Sequence, residues 1–217
     1  MLSLTTAQAT RVLIILISFH IVIIGASNYL VQIPFQLFGI YTTWGTFSFP
    51  LVYLATDLTV RVFGSARARI IIFGAMIPAL ILSYTISIVF FEGKFQGFGG
   101  FSTLNIFVFR IAVASFIAYL AGQLLDVSVF SYLRRNQQWW VAPSVSTSIG
   151  NLVDTILFYV IAFYLSSDPF MATHWPEIAL VDYIFKLLVS ILLFLPLYGI
   201  VLKVLTDKLI SINRDSI

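Results

Sequence analysis

The sequence predicts an all-α integral membrane protein with six transmembrane helices and both termini in the cytoplasm. Of its 217 residues, 60% are hydrophobic and only 10% are charged, whereas soluble domains carry about 25% charged residues. Apolar segments recur along the chain at the length a bilayer requires, which is about 20 residues. The composition therefore excludes a soluble core and predicts a single transmembrane domain over residues 1–217.

Six segments meet this length requirement. The first follows one basic residue, Arg11, and no clear small-residue cleavage site stands after it. It therefore predicts an uncleaved span rather than a signal peptide. The predicted spans are residues 12–31, 45–63, 70–91, 104–125, 143–165 and 178–205.

Lysine and arginine are unevenly distributed between the two sides of this topology. Only Lys94 falls in an odd-numbered connection. Because cytoplasmic loops carry an excess of these residues, the bias predicts that both termini lie inside. The termini, the even-numbered connections and the span ends beside them hold nine: Arg11, Arg61, Arg67, Arg69, Arg134, Arg135, Lys203, Lys208 and Arg214.

Two connections have a distinct composition. The outward segment 91–105 is rich in glycine and phenylalanine, which favours an irregular loop at the membrane interface, with a lid as the alternative. The inward segment 126–143 contains Arg134, Arg135 and two tryptophans. These residues predict a short helix at the membrane surface.

The residues that usually bind metals are scarce. The chain has no cysteine, which excludes disulfides and cysteine nucleophiles. His20 lies in the first span and His174 in a predicted outward loop, and neither has a partner at metal-ligand spacing. We therefore predict no metal and no cofactor. The net charge of +3 reports orientation and does not indicate a nucleic-acid partner.

Apart from Lys203 at the end of span six, six acidic or basic residues lie inside the predicted spans: Asp57, Arg61, Arg110, Asp154, Asp182 and Lys186. Each charge at the bilayer centre costs roughly 2.5–3.5 kcal/mol, so unpaired charges would exceed the stability of a typical protein. Spacing of i, i+4 pairs Asp57 with Arg61 and Asp182 with Lys186. Arg110 and Asp154 have no such neighbour. They can meet across spans four and five, or Arg110 can reach the outer interface.

Two helix faces are polar. Asp154 lies about 16 Å into span five and Asp57 about 18 Å into span two, at 1.5 Å per residue, so both are near the midplane. By helical spacing, Asp154 shares a face with Ser144, Thr147 and Asn151, and span one presents Gly25, Asn28 and Gln32 together. These faces predict a cavity open to the outside.

Three segments also resemble a known family. They are "SNYLVQIPFQLFGIYTTWGTFSFPLVYLATDLTVRVFG", "WWVAPSVSTSIGNLVDTILFYVIAF" and "HWPEIALVDYIFKLLVSILLFLPLYGI". They resemble the bacterial queuosine precursor transporters, which are grouped with vitamin uptake transporters. The resemblance implies import of 7-cyano-7-deazaguanine across the bacterial inner membrane, with 7-aminomethyl-7-deazaguanine as a second candidate substrate.

The implied substrate suggests roles for these polar residues. A deazaguanine presents a ring N–H beside an amine, and one carboxylate can accept from both. Its carbonyl needs a donor, and its flat face needs an aromatic platform, for which Trp44, Tyr53 and Phe158 are candidates. The predicted substrate-binding residues are Asp57, Asp154, Asn28, Asn151, Arg110 and Trp44.

Other functions stay open on the sequence. The main alternative is a vitamin-binding membrane subunit that depends on a separate ATP-driven module. An enzyme is disfavoured because the sequence lacks metal-ligand histidine pairs, cysteine nucleophiles and a Gly-x-Gly-Asp motif. Converging polar faces argue against a purely structural subunit. The expected partners are the small-molecule substrate, membrane lipid and, given the small size, a second copy in a homodimer.

Overall fold

Helices make up most of the protein. The computed structural model describes residues 6–91, 94–133, 138 and 140–196. The elements, in chain order, are α1 (Thr6–Leu30), β1 (Pro34–Leu37), β2 (Ile40–Thr43), α2 (Trp44–Ser48), α3 (Pro50–Phe63), α4 (Ser65–Val89), a 3-10 turn (Gly99–Ser102), α5 (Ile106–Leu133), α6 (Val141–Phe163), α7 (Pro169–Val189) and a π-helical turn (Ser190–Phe194).

Three helical stretches in the described part are long and apolar enough to cross a membrane, judged by length and composition. They are Thr6–Leu30, Ala66–Val89 and Val141–Phe163, and a shorter apolar stretch is Ile106–Gly122. On α4, Ile70, Ile77 and Ile81 are 76%, 62% and 64% exposed, which suits a lipid-facing surface. The helical character of the chain is confirmed, whereas the count of six spans and the location of the termini stay predictions.

The second predicted span, residues 45–63, is divided into two helices. The short α2 ends at Ser48, and α3 begins with Pro50. Proline has no N–H to donate to the preceding turn but suits the first position of a helix. Phe49, between the two helices, keeps helical φ and ψ of −54° and −39°, so the break is the missing hydrogen bond at Pro50, which hydropathy along the span does not reveal.

A β-hairpin, which the sequence did not predict, joins α1 to α2. Pro34 begins β1, and the strands pair antiparallel from Pro34 opposite Thr43 to Leu37 opposite Ile40. The two residues between the strands, Phe38 and Gly39, have φ of 50° and 85°. Positive φ at both positions is what a two-residue hairpin turn of type I′ requires.

The hairpin lies at one end of the helix bundle, which we call the hairpin end. Val31, Phe107, Phe163 and Met171 share a buried core cluster there, so the adjoining ends of α1, α5, α6 and α7 meet. The carboxylate of Asp168 caps α7 by accepting from the Met171 N–H at 3.0 Å.

Several predicted connections are helical in the structure. His174, predicted in a loop, lies within α7 and stacks on Phe170 with ring centroids 4.4 Å apart, because the Asp168 cap starts the helix before it. α5 continues to Leu133, so the predicted surface segment 126–143 begins as part of that helix. Arg134, Arg135 and Trp139 lie outside the described residues, as do positions 197–205 of the sixth predicted span.

Helices α5 and α6 approach closely at a glycine. A Cβ added at Gly122 would lie 3.1 Å from Asp154 Cβ and 3.3 Å from the Gly150 carbonyl oxygen. Small residues at helix interfaces let backbones pack closely in membranes. This contact fixes how α6, and with it Asp154, is placed against α5.

Candidate functional site

Helices α6 and α7 bring three ionisable side chains into direct contact. Lys186 Nζ lies 2.8 Å from Asp182 Oδ2, one turn away on α7, and 3.0 Å from Asp154 Oδ2 on α6. We call these three residues the carboxylate–lysine cluster. The i, i+4 pairing of Asp182 with Lys186 is confirmed. The bond from Lys186 to Asp154 joins two helices that the sequence could not align.

A buried hydroxyl completes the bonding of the lysine. Thr155 Oγ1 accepts from Lys186 Nζ at 3.2 Å and donates to Asp182 Oδ2 at 3.4 Å. Thr155 is fully buried and precedes Lys186 and Asp182 by about 30 residues of chain. The ammonium is therefore held by oxygens from both α6 and α7.

The two carboxylates differ in exposure. The Asp182 side chain is 0% exposed and that of Lys186 is 4%, whereas that of Asp154 is 19%. Burying charges is costly unless they are paired and hydrogen-bonded. Asp182 is thus a buried member of the cluster, and Asp154 is its accessible member.

Asp154 and Lys186 also line a pocket. The pocket is open to solvent on one side, and about 490 Å³ of space lies outside the protein atoms there, open solvent included. Residues from α1 and from α3 to α7 converge on it. The lining comprises Ile24, Phe49, Val52, Met76, Ser115, Tyr119, Asp154, Phe158 and Lys186.

Two aromatic rings form one wall of the pocket. Phe49 and Phe158 are edge-to-face, with centroids 5.6 Å apart and planes at 72°. Lys186 Nζ lies 5.2 Å from the centroid of the Phe49 ring, within the range of a cation–π contact. The pocket therefore combines flat apolar surfaces with one carboxylate and one ammonium.

One carboxylate oxygen of the cluster, Asp182 Oδ1, is buried without a hydrogen-bond partner among the described residues. Buried polar groups are normally paired, so this oxygen can take part in a further hydrogen bond. No group of three or more metal-binding side chains occurs in the part of the chain that the structure describes.

Sequence comparisons place this chain in a family. The chain is 56% identical to the queuosine precursor transporter of Escherichia coli (strain K12) over 93% of its own length and 91% of the relative's. It is 54% identical to the probable queuosine precursor transporter of Haemophilus influenzae, over the same shares. This chain belongs to the queuosine precursor transporter family.

More distant comparisons agree. The probable queuosine precursor transporter of Bacillus subtilis is 30% identical over 72% of this chain and 70% of its own length. Residues 43–201 match the family described as putative vitamin uptake transporter. No solved structure matches this chain. With its apolar helices, this family member is a multi-pass membrane protein.

Among the residues predicted to bind substrate, the structure places Asp154 in the pocket of this queuosine precursor transporter family member. Asp57 lies in α3, but its side chain and that of its expected partner Arg61 are outside the described part. The Tyr53 side chain is also outside it. Phe158, a predicted platform, lines the pocket.

The two predicted asparagines are buried in different surroundings. Asn28 is 0% exposed, and neither Nδ2 nor Oδ1 has a hydrogen-bond partner among the described residues. Asn151 donates from Nδ2 to Ser190 Oγ at 3.3 Å, linking α6 to the π-helical turn. Neither is among the residues that line the described pocket.

Arg110 lies at the hairpin end and bonds to the end of α6. Its guanidinium donates to the carbonyls of Ile161, Tyr164 and Leu165 at 2.9, 2.6 and 3.2 Å. These carbonyls lie where a helix leaves acceptors unsatisfied. Arg110 therefore contacts the end of α6 and does not pair with Asp154, which contacts Lys186 instead; that this end faces outward stays a prediction.

Trp44 begins α2 beside the hairpin and is 51% exposed. Its ring stacks on Phe35 with centroids 4.7 Å apart, and it is not among the residues lining the described pocket.

Three residues that line the pocket were not predicted from the sequence: Phe49, Ser115 and Tyr119. Ser115 and Tyr119, four residues apart in an apolar helix, are the signal that could have identified α5 as a pocket wall.

Proposed function

We propose that this chain imports queuosine precursors of the 7-deazaguanine class, foremost 7-cyano-7-deazaguanine, across the bacterial inner membrane. Family membership supports a transporter of queuosine precursors. The observation that carries the proposal is a pocket among the membrane helices in which an accessible carboxylate, Asp154, adjoins aromatic rings. That combination suits a flat heterocycle with a hydrogen-bond donor edge.

Asp154 is the proposed reader of that edge. A carboxylate only accepts hydrogen bonds and offers two oxygens, which matches a ring N–H beside an exocyclic amine. The described contact of Lys186 engages one of these oxygens, Oδ2. Asp57 is proposed as a second acidic contact, by its predicted depth in the membrane.

Lys186 is the proposed donor to the carbonyl of the base. It lines the pocket beside Asp154, so one substrate could contact both groups along the same edge. The rings of Phe49 and Phe158 supply apolar surface for the flat face. Asn28 is proposed as a further donor, since its amide is buried without a described partner.

The proposed arrangement in the membrane has six spans with both termini in the cytoplasm, and a homodimer. The relatives' names support transport by this family and do not favour the ATP-dependent vitamin subunit. We therefore propose that the chain works without a separate ATPase.

Transport by the isolated chain tests this proposal. Purified protein, reconstituted alone into liposomes, should exchange external labelled 7-cyano-7-deazaguanine for unlabelled internal compound. In cells that cannot make or import the precursor, expression should restore queuosine in tRNA at low external supply. Absence of exchange at every substrate concentration would reject the transporter proposal, and exchange only after adding an ATPase would favour the alternative.

A further inference from the structure

The carboxylate–lysine cluster holds an unequal number of opposite charges. Asp154 and Asp182 both contact the ammonium of Lys186, so the fully ionised cluster carries one net negative charge. A net charge within the hydrocarbon region is costly. One added proton would make the cluster neutral.

We propose that Asp182 is the proton-binding group that couples substrate import to the proton gradient. This inference rests on the proposed function, in which a neutral base enters the pocket. Binding one proton to a carboxylate oxygen of Asp182 forms an O–H bond and adds one positive charge to the cluster. The proton and the neutral substrate then cross together, and the proton leaves Asp182 on the cytoplasmic side.

Exposure assigns different roles to the two carboxylates. Asp154 is partly exposed and lines the pocket, and it must stay ionised to accept from the substrate's N–H and amine. Asp182 is fully buried and is not among the residues lining the described pocket. It can therefore be protonated without losing a substrate contact.

The bonding of Asp182 leaves a place for the proton. Lys186 and Thr155 both contact Oδ2, whereas Oδ1 is buried without a hydrogen-bond partner among the described residues. The hydroxyl of the fully buried Tyr159 lies within electrostatic reach of Asp182. Protonating Oδ1 would place the proton on the carboxylate oxygen that neither Lys186 nor Thr155 contacts.

Lys186 links the protonation of Asp182 to the binding of substrate at Asp154. It contacts both carboxylates, so neutralising Asp182 removes one of the two negative charges that attract the ammonium and strengthens its pairing with Asp154. Substrate that binds Asp154 competes with the lysine for the same carboxylate. Protonation of Asp182 thereby changes the strength of the ion pair between Lys186 and Asp154, with which the substrate competes.

In the part of the chain that the structure describes, the elements packed on α7 carry few other ionisable groups. Helix α6 contributes Asp154 and Tyr159, while β2 contributes Tyr41, whose backbone N–H donates to Glu177 at the hairpin end. Helix α2 and the π-helical turn carry no ionisable side chain. Helix α7 itself carries His174, Tyr183 and Lys186, and α5 carries Tyr119. Asp57 and Arg61 lie on α3, and their side chains are outside the described part.

Proton movement in liposomes containing the wild-type protein is the direct test. Addition of 7-cyano-7-deazaguanine outside should acidify a lumen that contains a pH-sensitive dye. With membrane potential clamped at zero, a gradient of about one pH unit, alkaline inside, should drive about tenfold accumulation for one proton per substrate. Exchange without proton movement, or accumulation driven by sodium alone, would overturn the coupling proposal while leaving the proposed function intact.

Variants of Asp182 and Asp154 then test which carboxylate binds the proton. Asp182→Asn should lose accumulation and dye acidification far more than it loses exchange, whereas Asp154→Asn should weaken exchange itself. Glu177→Gln, the same chemical change on the same helix, should keep the wild-type accumulation ratio. Accumulation that persists in Asp182→Asn would reject Asp182 as the proton site. Should Asp182→Asn fail to fold, Asp182→Glu decides: coupling retained with a shifted pH profile supports the proposal, and an unshifted profile rejects it.

Discussion

Lys186 Nζ lies 3.0 Å from Asp154 Oδ2, and this bond joins α7 to α6 at the pocket. The same ammonium lies 2.8 Å from Asp182 Oδ2, so one cation stabilises two carboxylates. The substrate and coupling proposals both depend on this shared lysine, and several measurements can test its role separately from transport.

Removing the lysine should destabilise the protein. Lys186→Met leaves Asp182 buried without its cation, and breaking a buried pair typically costs about 3–5 kcal/mol. We expect lower folded yield and a lower melting temperature in detergent. Lys94→Met, a change of an exposed lysine in a connection, should leave both unchanged. Equal stability of the two variants would show that the cluster contributes little to folding.

Neutralising Asp154 should weaken substrate recognition. Asp154→Asn keeps the side-chain size but replaces an acceptor oxygen with a donor, which should cost about 1–3 kcal/mol, the scale of one misread base edge. Roughly tenfold to hundredfold more external 7-cyano-7-deazaguanine should then restore uptake. Normal uptake in both Asp154→Asn and Asp57→Asn would contradict the proposed acidic contacts.

Replacing Arg110 should separate stability from affinity. Its guanidinium satisfies three carbonyls at the end of α6, and hydrogen bonds to charged groups contribute about 1.5–3 kcal/mol each. Arg110→Ala should therefore lower the melting temperature, while the substrate concentration for half-maximal uptake stays the same per folded molecule. A large change in that concentration would instead support the predicted binding role.

Replacing Gly45 or Gly74 with alanine should change the stability of the protein in opposite directions. A Cβ at Gly45 would lie 2.8 Å from Val31 Cα, whereas one at Gly74 would meet nothing within 4 Å. Gly45→Ala should force α2 away from the end of α1 and lower the melting temperature. Gly74→Ala, within α4, should raise stability by up to about 1 kcal/mol through helix propensity. Similar melting temperatures for the two would contradict the close packing at Gly45.

Cysteine labelling should establish the orientation. The chain has no native cysteine, so single cysteines at Ser102 and Thr173 should react with an impermeant reagent added outside intact cells. A cysteine at Ser65, on the predicted cytoplasmic side, should react only after the cells are opened. Labelling of Ser65 from outside would reverse the proposed topology.

Local features could be predicted from the sequence because they need only one segment of chain. Composition determined the membrane class and the helical character, and helical periodicity placed Asp182 beside Lys186. Two backbone features were not predicted: the helix break at Pro50, and the tight turn at Phe38 and Gly39. Those features are also local, so closer attention to turn chemistry could have found them.

The tertiary structure alone decided which segments meet. Whether Asp154 faced Arg110 or Lys186 depended on how α6 is rotated and shifted against its neighbours, and periodicity within one helix carries no information about that register. Close packing at Gly122 places Asp154, and the carbonyls at the end of α6 engage Arg110. An ion pair between helices therefore follows from packing contacts many residues away in the chain, whereas one within a helix follows from spacing.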